Sequence, residues 1–528
     1  MLRFKMFFLC LMSIIITCLI TLVISNSHIL ELNLPPEHIP YYFSNHPIES
    51  QNCANSDSCS HKGSLGLNKC WGYEKGCSES DRFSTPDCNQ SSKGWAKSKK
   101  EQSEIFFHQG DFGYIQDRLN EMKVLCSTKH KNASYLECSQ HMRFCRGKYL
   151  MFDFHSLEDI PEPMRYRDDV IREGQVGGHC KLKKKLLKQQ GQHKSPLQSW
   201  YAEFEHFTEL PELPKDQNLC DIIINQPTFI MKLDAAVNMY HHFCDFLNLY
   251  ATLHMNQTFS TDVQILIWDT IPYMSNFAPV WKAFTQHPLM NLGSLKGKRV
   301  CFKDVVFPLL PRMIFGMYYN MPLIPGCQGS GLFRAFAQHI KHRLQIPDLF
   351  FDSKIRVTLI SRSTQYRRIL NEDELISSLK VYPELLVKKV NFNRQMSFTE
   401  QLKISYNTDI LIGIHGAGLT HMLFMPEWGS VFEIFNCEDE SCYADLARLK
   451  GLKYLTWEKL DKLYPEDEGH HPTLGAHAKF TNYSFDVKEF LRIFKKLMNH
   501  VKQHPAFQQK RNICHGTTCN KTFIHNEL

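Results

Sequence analysis

Two arginines and a glycine turn carry the most specific chemistry in this chain. Ser361-Arg362-Ser-Thr-Gln-Tyr-Arg367-Arg368 sets three guanidiniums just past the apolar run Ile355 to Ile360, where they could neutralise a diphosphate without a metal. Thr408-Asp409-Ile-Leu-Ile-Gly413-Ile-His415-Gly416-Ala417-Gly418-Leu419-Thr420 reads as a buried strand and a small-residue turn, with Leu419 to Met425 as the first turns of a helix. Small residues let the main chain approach phosphate oxygens, and a helix N-terminus offers N–H groups without intrahelical partners. Taken alone, Gly416, Ala417 and Gly418 fit close strand–helix packing as well as a phosphate site. His415 could donate to a phosphate or only fill the turn. Glu433, near the end of the next buried strand, could accept from two ribose hydroxyls or pair with a nearby arginine. Upstream, Lys232-Leu-Asp234-Ala-Ala-Val-Asn238-Met-Tyr-His241-His242-Phe-Cys-Asp245 supplies acid–base groups. On a helix His241 and Asp245 share a face, as do Asn238 and His242. A His or Asp there, set at a cleft, could deprotonate an acceptor hydroxyl.

The elements that must position these groups are legible from periodicity. From Lys354 onward strands and helices alternate: strand Ile355 to Ile360, a helix capped by Asn371 from Glu372 to Leu379, and strand Leu385 to Val390. Next come a capping box at Ser397-Phe-Thr-Glu400 opening a helix to Tyr406, the strand and turn above, and strand Val431 to Phe435. A helix at Tyr443 to Leu449 and strand Lys453 to Trp457 complete the series. Such alternation predicts a parallel sheet covered on both faces, with ligands at the C-terminal strand ends where Arg362, His415 and Glu433 stand. Before it, Asp221 to Asn225 and Val263 to Trp268 read as strands around a helix from Asn238 to Leu253, a first α/β unit. Residues 26–215 are rich in cysteines and turns, with Asp111 to Val124 the clearest helix there and Leu210-Pro-Glu-Leu-Pro-Lys215 a linker. The expected division is a leader at 1–25, a cysteine-rich region at 26–215, α/β units at 216–345 and 346–505, and a tail at 506–528.

Composition bounds the compartment. The chain has 528 residues and a formal charge of +7, too mild to point to nucleic acid. The densest basic run, Lys181 to Lys188, reads as a solvated helix face. Residues 1–25 open with Arg3 and Lys5 and run apolar to Ile24, as a secretion signal or an uncleaved signal anchor would. The last residues, His525-Asn526-Glu527-Leu528, match an endoplasmic reticulum retrieval signal with Asn in place of Asp, which implies lumenal residence and a retrieval receptor as partner. Of 19 cysteines, Cys10 and Cys18 fall in the leader, leaving 17, so in an oxidising lumen at least one thiol stays free, with Cys244 the first candidate. Sequons at Asn89, Asn132, Asn256, Asn482 and Asn520 fit surface loops of a glycoprotein. No metal-ligand spacing stands out, and no dinucleotide fingerprint is present.

Arg362 with Arg367, Gly413-x-His415-Gly-Ala-Gly-Leu419 and Gly429-Ser-Val-Phe-Glu433 resemble glycosyltransferase family 61. Further blocks extend the resemblance, to one branch of that family, over nearly the whole mature chain: Cys70-Trp-Gly-Tyr-Glu-Lys, Asp111-Phe-Gly-Tyr, Gly177-Gly-His-Cys180, Ser195-Pro-Leu-Gln-Ser-Trp200, Asn238-Met-Tyr-His-His-Phe-Cys-Asp245 and Gly469-His-His-Pro-Thr-Leu474. The resemblance implies an α/β fold of two Rossmann-like domains facing a cleft (GT-B type), with a disulfide-rich N-terminal region. It implies UDP-N-acetylglucosamine as donor, Ser or Thr of folded EGF-like repeats (those of Notch-type receptors among them) as acceptor, and one inverting displacement. By the same resemblance Arg362, Arg367, His415 and the turn Gly416, Ala417, Gly418 and Leu419 would hold the donor diphosphate and Glu433 the ribose. His242 and Asp245 would face the acceptor as the catalytic pair. One departure stands out. The family's acidic triplet after Trp-x-Ala-Phe-Thr is here Gln286-His287-Pro288, so either that triplet is no required metal site or the chain is a non-catalytic lumenal EGF-binding or folding factor.

Overall fold

A computed structural model describes residues 32–88, 95–129, 133–162, 167–193, 195, 198–215, 217–311, 323–347, 354–438, 441–473 and 475–515. The leader, the retrieval tetrapeptide and the sequons at Asn89, Asn132 and Asn520 lie outside the described residues. Among those residues no helix is long and apolar enough to cross a membrane.

The chain divides into two compact units, one up to Phe83 and one from Ser84 onward. The first unit is small and stapled. Disulfides Cys53–Cys59 and Cys70–Cys77 close short loops, and His38, Tyr41 and Phe83 pack around the buried Trp71. So short a stretch buries little apolar area, and cross-links reduce the entropy of its unfolded state. Cys70, Glu74 and Cys77 lie together as metal ligands might, but the two sulfurs are bonded to each other.

The second unit contains the two sheets that matter. In the larger, mixed sheet, β1 (Lys123–Ser127), β2 (Tyr135–Cys138) and β3 (Cys145–Asp153) run antiparallel. They are followed by β4 (Thr228–Met231), α1 (Met239–Met255), β5 (Gln264–Ile267) and β6 (Arg299–Phe307). β6 is antiparallel to β3 and parallel to β4, so strands from the cysteine-rich stretch and from the first α/β stretch share one sheet. The expected Asp111–Val124 helix is shorter, Phe112–Asn120, because Lys123, Val124 and Cys126 pair with β2 instead. Helix α1 is buried nearly all round, the mark of a core helix, and Asn238 caps it by accepting from Tyr240 N at 3.0 Å.

The second sheet follows the alternation read in the sequence: β7 (Ile355–Ile360), α2 (Glu372–Lys380), β8 (Leu385–Val390), α3 (Phe398–Tyr406), β9 (Ile410–Gly413), β10 (Ser430–Glu433), α4 (Cys442–Lys450) and β11 (Lys453–Thr456). The order is β8-β7-β9-β10-β11, all parallel. Ser397 caps α3 through Glu400 N as expected, whereas Asn371 makes no side-chain cap bond. The segment after β9 is a 3-10 helix, Ala417–Phe424, and not the α-helix expected from Leu419.

Four further disulfides among the described residues, Cys88–Cys327, Cys126–Cys180, Cys138–Cys145 and Cys220–Cys301, fit the cross-linking expected of an oxidised chain. Cys244 is a buried thiol outside any disulfide, as expected, and so is Cys437. The lysine run forms a short helix, Lys184–Gln189, that buries Leu187 and exposes its lysines.

Candidate functional site

The predicted binding groups meet where β7, β9 and β10 end. Arg362, two residues past β7, and Arg367 each donate through Nη1 to the carbonyl of His415, at 3.2 and 3.1 Å. Neither guanidinium meets a carboxylate among the described residues, and Arg367 Nε is buried without a hydrogen-bond partner. Burial first, and the neighbouring positive Arg367 second, pull the Arg362 pKa down to about 10. Two cations crowd on one carbonyl with no counter-ion beside them. Gly416 makes this possible: its φ of 155° lies outside the comfortable range of L side chains, and a Cβ there would land on Arg362 Nη1. Arg368 points elsewhere, its main-chain N and its Nε donating to Asn482.

His415 and Glu433 are joined to one another. His415 Nδ1 donates to Glu433 Oε1 at 2.7 Å, and Tyr454 O–H donates to Oε2 at 2.5 Å. Glu433 is buried with both oxygens engaged, so the ribose role expected of it is replaced by one that orients the His415 ring. The strand-end position was legible, but the Tyr454 partner, from a strand further on, was not.

A cavity of about 530 Å³ opens beside this cluster. Its walls include Arg362, Ala417, Gly418 and Leu419 from the second sheet, and Val237, Met239, Asn276 and Phe277 from around α1. Asn391, Phe392, Asn393 and Arg394, beyond β8, also line it, and their only signal in the sequence is their place after a strand. Phe392 stacks on the buried His421 ring at 3.9 Å. Helix α1 reaches the second sheet through Phe243, packed between Phe398 and Phe424, and through Tyr240 against Tyr443.

The acid–base helix is arranged otherwise than expected. His242 is fully buried; its Nδ1 donates to Asp245 Oδ2 at 2.9 Å and its Nε2 accepts from Tyr273 O–H at 2.7 Å. Desolvation lowers its pKa to about 3, so the ring is neutral. Asp245 is buried too and accepts from Asp234 N. Both side chains are shut off from solvent, so the pair expected to face an acceptor is buried here instead. His241, by contrast, is half-buried, and its Nδ1 donates to Asp234 Oδ2 at 2.7 Å. The pairing His241–Asp234 links α1 to the loop before it; helical spacing, which brought His241 to Asp245, could not show it.

Two other expectations are settled by position. Gln286-His287-Pro288 lies off the walls of this cavity, and His287 pairs with the exposed Asp262 at 2.7 Å. The missing carboxylates are therefore no sign of a lost cavity wall. Asn482, expected on a surface loop, is 4% exposed; its Nδ2 donates to Glu466 and its Oδ1 accepts from Arg368 N, so a glycan there would break a buried contact. Asn256 is the half-buried C-cap of α1.

A sequence profile of the Glycosyltransferase 61 family matches residues 239–432, the span from α1 to β10. The chain is 51% identical to a Gallus gallus protein over 90% of each chain, and 48% identical to a Mus musculus protein over 91% of this chain and 92% of that one. A Drosophila melanogaster protein is 51% identical over 90% of this chain and 92% of its own. All three are named EGF domain-specific O-linked N-acetylglucosamine transferase.

Proposed function

Because this chain belongs to the glycosyltransferase 61 family, and is a transferase, we propose that it moves N-acetylglucosamine from UDP-N-acetylglucosamine to Ser or Thr hydroxyls of folded EGF-like repeats. The observation that carries the reading is the pair Arg362 and Arg367, converging on the His415 carbonyl beside an open cavity. A diphosphate seated there relieves the repulsion between the guanidiniums, and the leading N–H groups of the Ala417–Phe424 helix add donors.

In this reading the acceptor oxygen forms its bond to the anomeric carbon on the face opposite the diphosphate. The bond from that carbon to the phosphate oxygen breaks, and UDP leaves with the electron pair. Arg362, Arg367 and the turn stabilise the charge that develops on it. The acceptor proton goes to His241, half-buried on α1 two residues beyond Met239 of the cavity wall: with Nδ1–H held by Asp234, the basic lone pair is on Nε2. Asp245 and His242 act as positioning residues, because Asp245 holds Asp234 N and His242 holds Tyr273. Strands β4 to β6 on one side of the cavity and β7 to β11 on the other support a GT-B-type arrangement, with 216–345 on the acceptor side and 346–505 on the donor side. The disulfides, with the leader and tail read in the sequence, support residence in the endoplasmic reticulum lumen.

Incubation with labelled UDP-N-acetylglucosamine and a folded EGF-like repeat tests the proposal. Wild type should label the repeat. Arg362→Ala should lower transfer by about 10²-fold, as loss of one transition-state donor does, and Gly416→Ala should do the same by displacing Arg362. Transfer that is absent in wild type, or unchanged in both variants, refutes it.

A further inference from the structure

Beyond the donor cavity lies a second one of about 430 Å³, in the same unit, that no role above uses. Val237 stands in the walls of both. Two short segments form the partition. Residues 232–237 face the second cavity while Val237 and Met239 face the first; Ile271 to Met274 face the second while Asn276 and Phe277 face the first. The segments are tied to one another, since Ser275 Oγ donates to the Ala236 carbonyl at 2.5 Å, and Tyr273 is held by His242 at 2.7 Å. The two cavities therefore meet at Val237, between two tied segments.

Its lining has a definite chemistry. Val237, Ile267, Trp268, Ile271, Pro272 and Met274 make it mostly apolar. Val237 and Met274 are 72% and 81% exposed, so its rim offers apolar surface to a ligand. Trp268, only 3% exposed, carries an indole N–H with no hydrogen-bond partner among the described residues, a donor suited to a carbonyl. Asp234, the partner of the His241 base, is in the same wall. Arg167 and Lys232 also stand in the wall, but each already pairs with a carboxylate, Asp169 and Glu203, so neither cation is left for a phosphate. A mostly apolar hollow with the unpartnered indole N–H of Trp268, sharing Val237 with the donor cavity, suits a peptide segment.

We infer that this cavity is the acceptor-selecting subsite: it receives an apolar side chain of the acceptor polypeptide, adjacent to the hydroxyl that is glycosylated. The inference rests on the transferase reading and adds to it what the enzyme recognises in the acceptor besides the hydroxyl. A folded repeat presents the hydroxyl on a fixed backbone, so anchoring the neighbouring side chain sets the oxygen at the donor.

The test separates acceptor from donor. Ile271→Trp fills the cavity and Met274→Asp charges its rim. Each should raise the KM for a folded EGF-like repeat by tenfold or more while the affinity for UDP, read by calorimetry, stays within twofold of wild type and shows the protein folded. Replacing the apolar residues beside the acceptor hydroxyl with Asp, one at a time, should reproduce the loss for one of them on the wild-type enzyme. Unchanged acceptor KM in both variants overturns the inference, as does a fall in UDP affinity with acceptor KM unchanged, which would give the cavity to the donor. A wild type that transfers nothing refutes the transferase reading itself, a different result from active wild type with indifferent variants.

Discussion

Between two adjacent histidines, one position of helical rotation decides the chemistry available. His242 turns into the core, where lost hydration keeps it neutral and Asp245 and Tyr273 occupy both ring nitrogens. His241 turns toward the surface side, and Asp234 fixes its tautomer. The two substitutions should therefore differ in kind. His241→Gln should lower kcat by about 10²- to 10⁴-fold, the usual range for a general base, and change the shape of the pH–rate profile. His242→Gln should lower kcat and stability together and leave the shape of that profile intact. A pH–rate profile unchanged in shape in His241→Gln would return the search for the base to Asp234 or to a group of the cavity wall.

At the scale of elements, strand ends are held in register by buried polar groups. Asp409, at the start of β9, accepts from Arg356 N, Nε and Nη2 on β7 and from Trp428 Nε1, and is fully buried. That clamp fixes the neighbouring strands whose far ends carry Arg362 and His415. Asp409→Ala leaves a buried guanidinium without its anion and should cost about 3–5 kcal/mol, read as a lower denaturant midpoint. Arg356→Met with Asp409→Leu should cost less than either single change, because no uncompensated charge remains. Asp111 does comparable work among helices: one buried carboxylate accepts from Phe112 N, Gly331 N and Leu332 N, and so caps two helices far apart in sequence. Loss of either anchor lets the walls of the site drift without touching a ligand.

For the whole molecule, pH acts through buried histidines. His242 and His421 are fully buried, and desolvation lowers their pKa values from 6.5 to about 3 and about 4. A depressed folded pKa means that the unfolded chain takes up protons first as pH falls. Stability from these groups is complete above pH 6.5 and is lost below it, at about 1.4 kcal/mol per pH unit for each. The melting temperature should therefore hold between pH 7 and 8 and fall increasingly below 6.5. His242→Gln combined with His421→Gln should flatten that fall relative to its own neutral-pH value; an equally steep fall would assign the acid sensitivity to other groups.

Sequence by itself determined the parallel sheet, its strand boundaries to within a residue or two, the family, and the gathering of Arg362, Arg367, His415 and Gly416. Those features are local: periodicity, capping and turn chemistry act over a few residues, and parallel alternation forces strand ends onto one edge. Only the tertiary structure decided what each group does there. Glu433 meets Tyr454 and His415 rather than an open cavity, His241 takes Asp234 in preference to Asp245, and Asn482 is buried. The strands of the cysteine-rich stretch join the first α/β stretch in one sheet. Such partners come from elements distant in the chain, and whether a polar side chain faces water, ligand or core depends on packing that no short window of sequence contains.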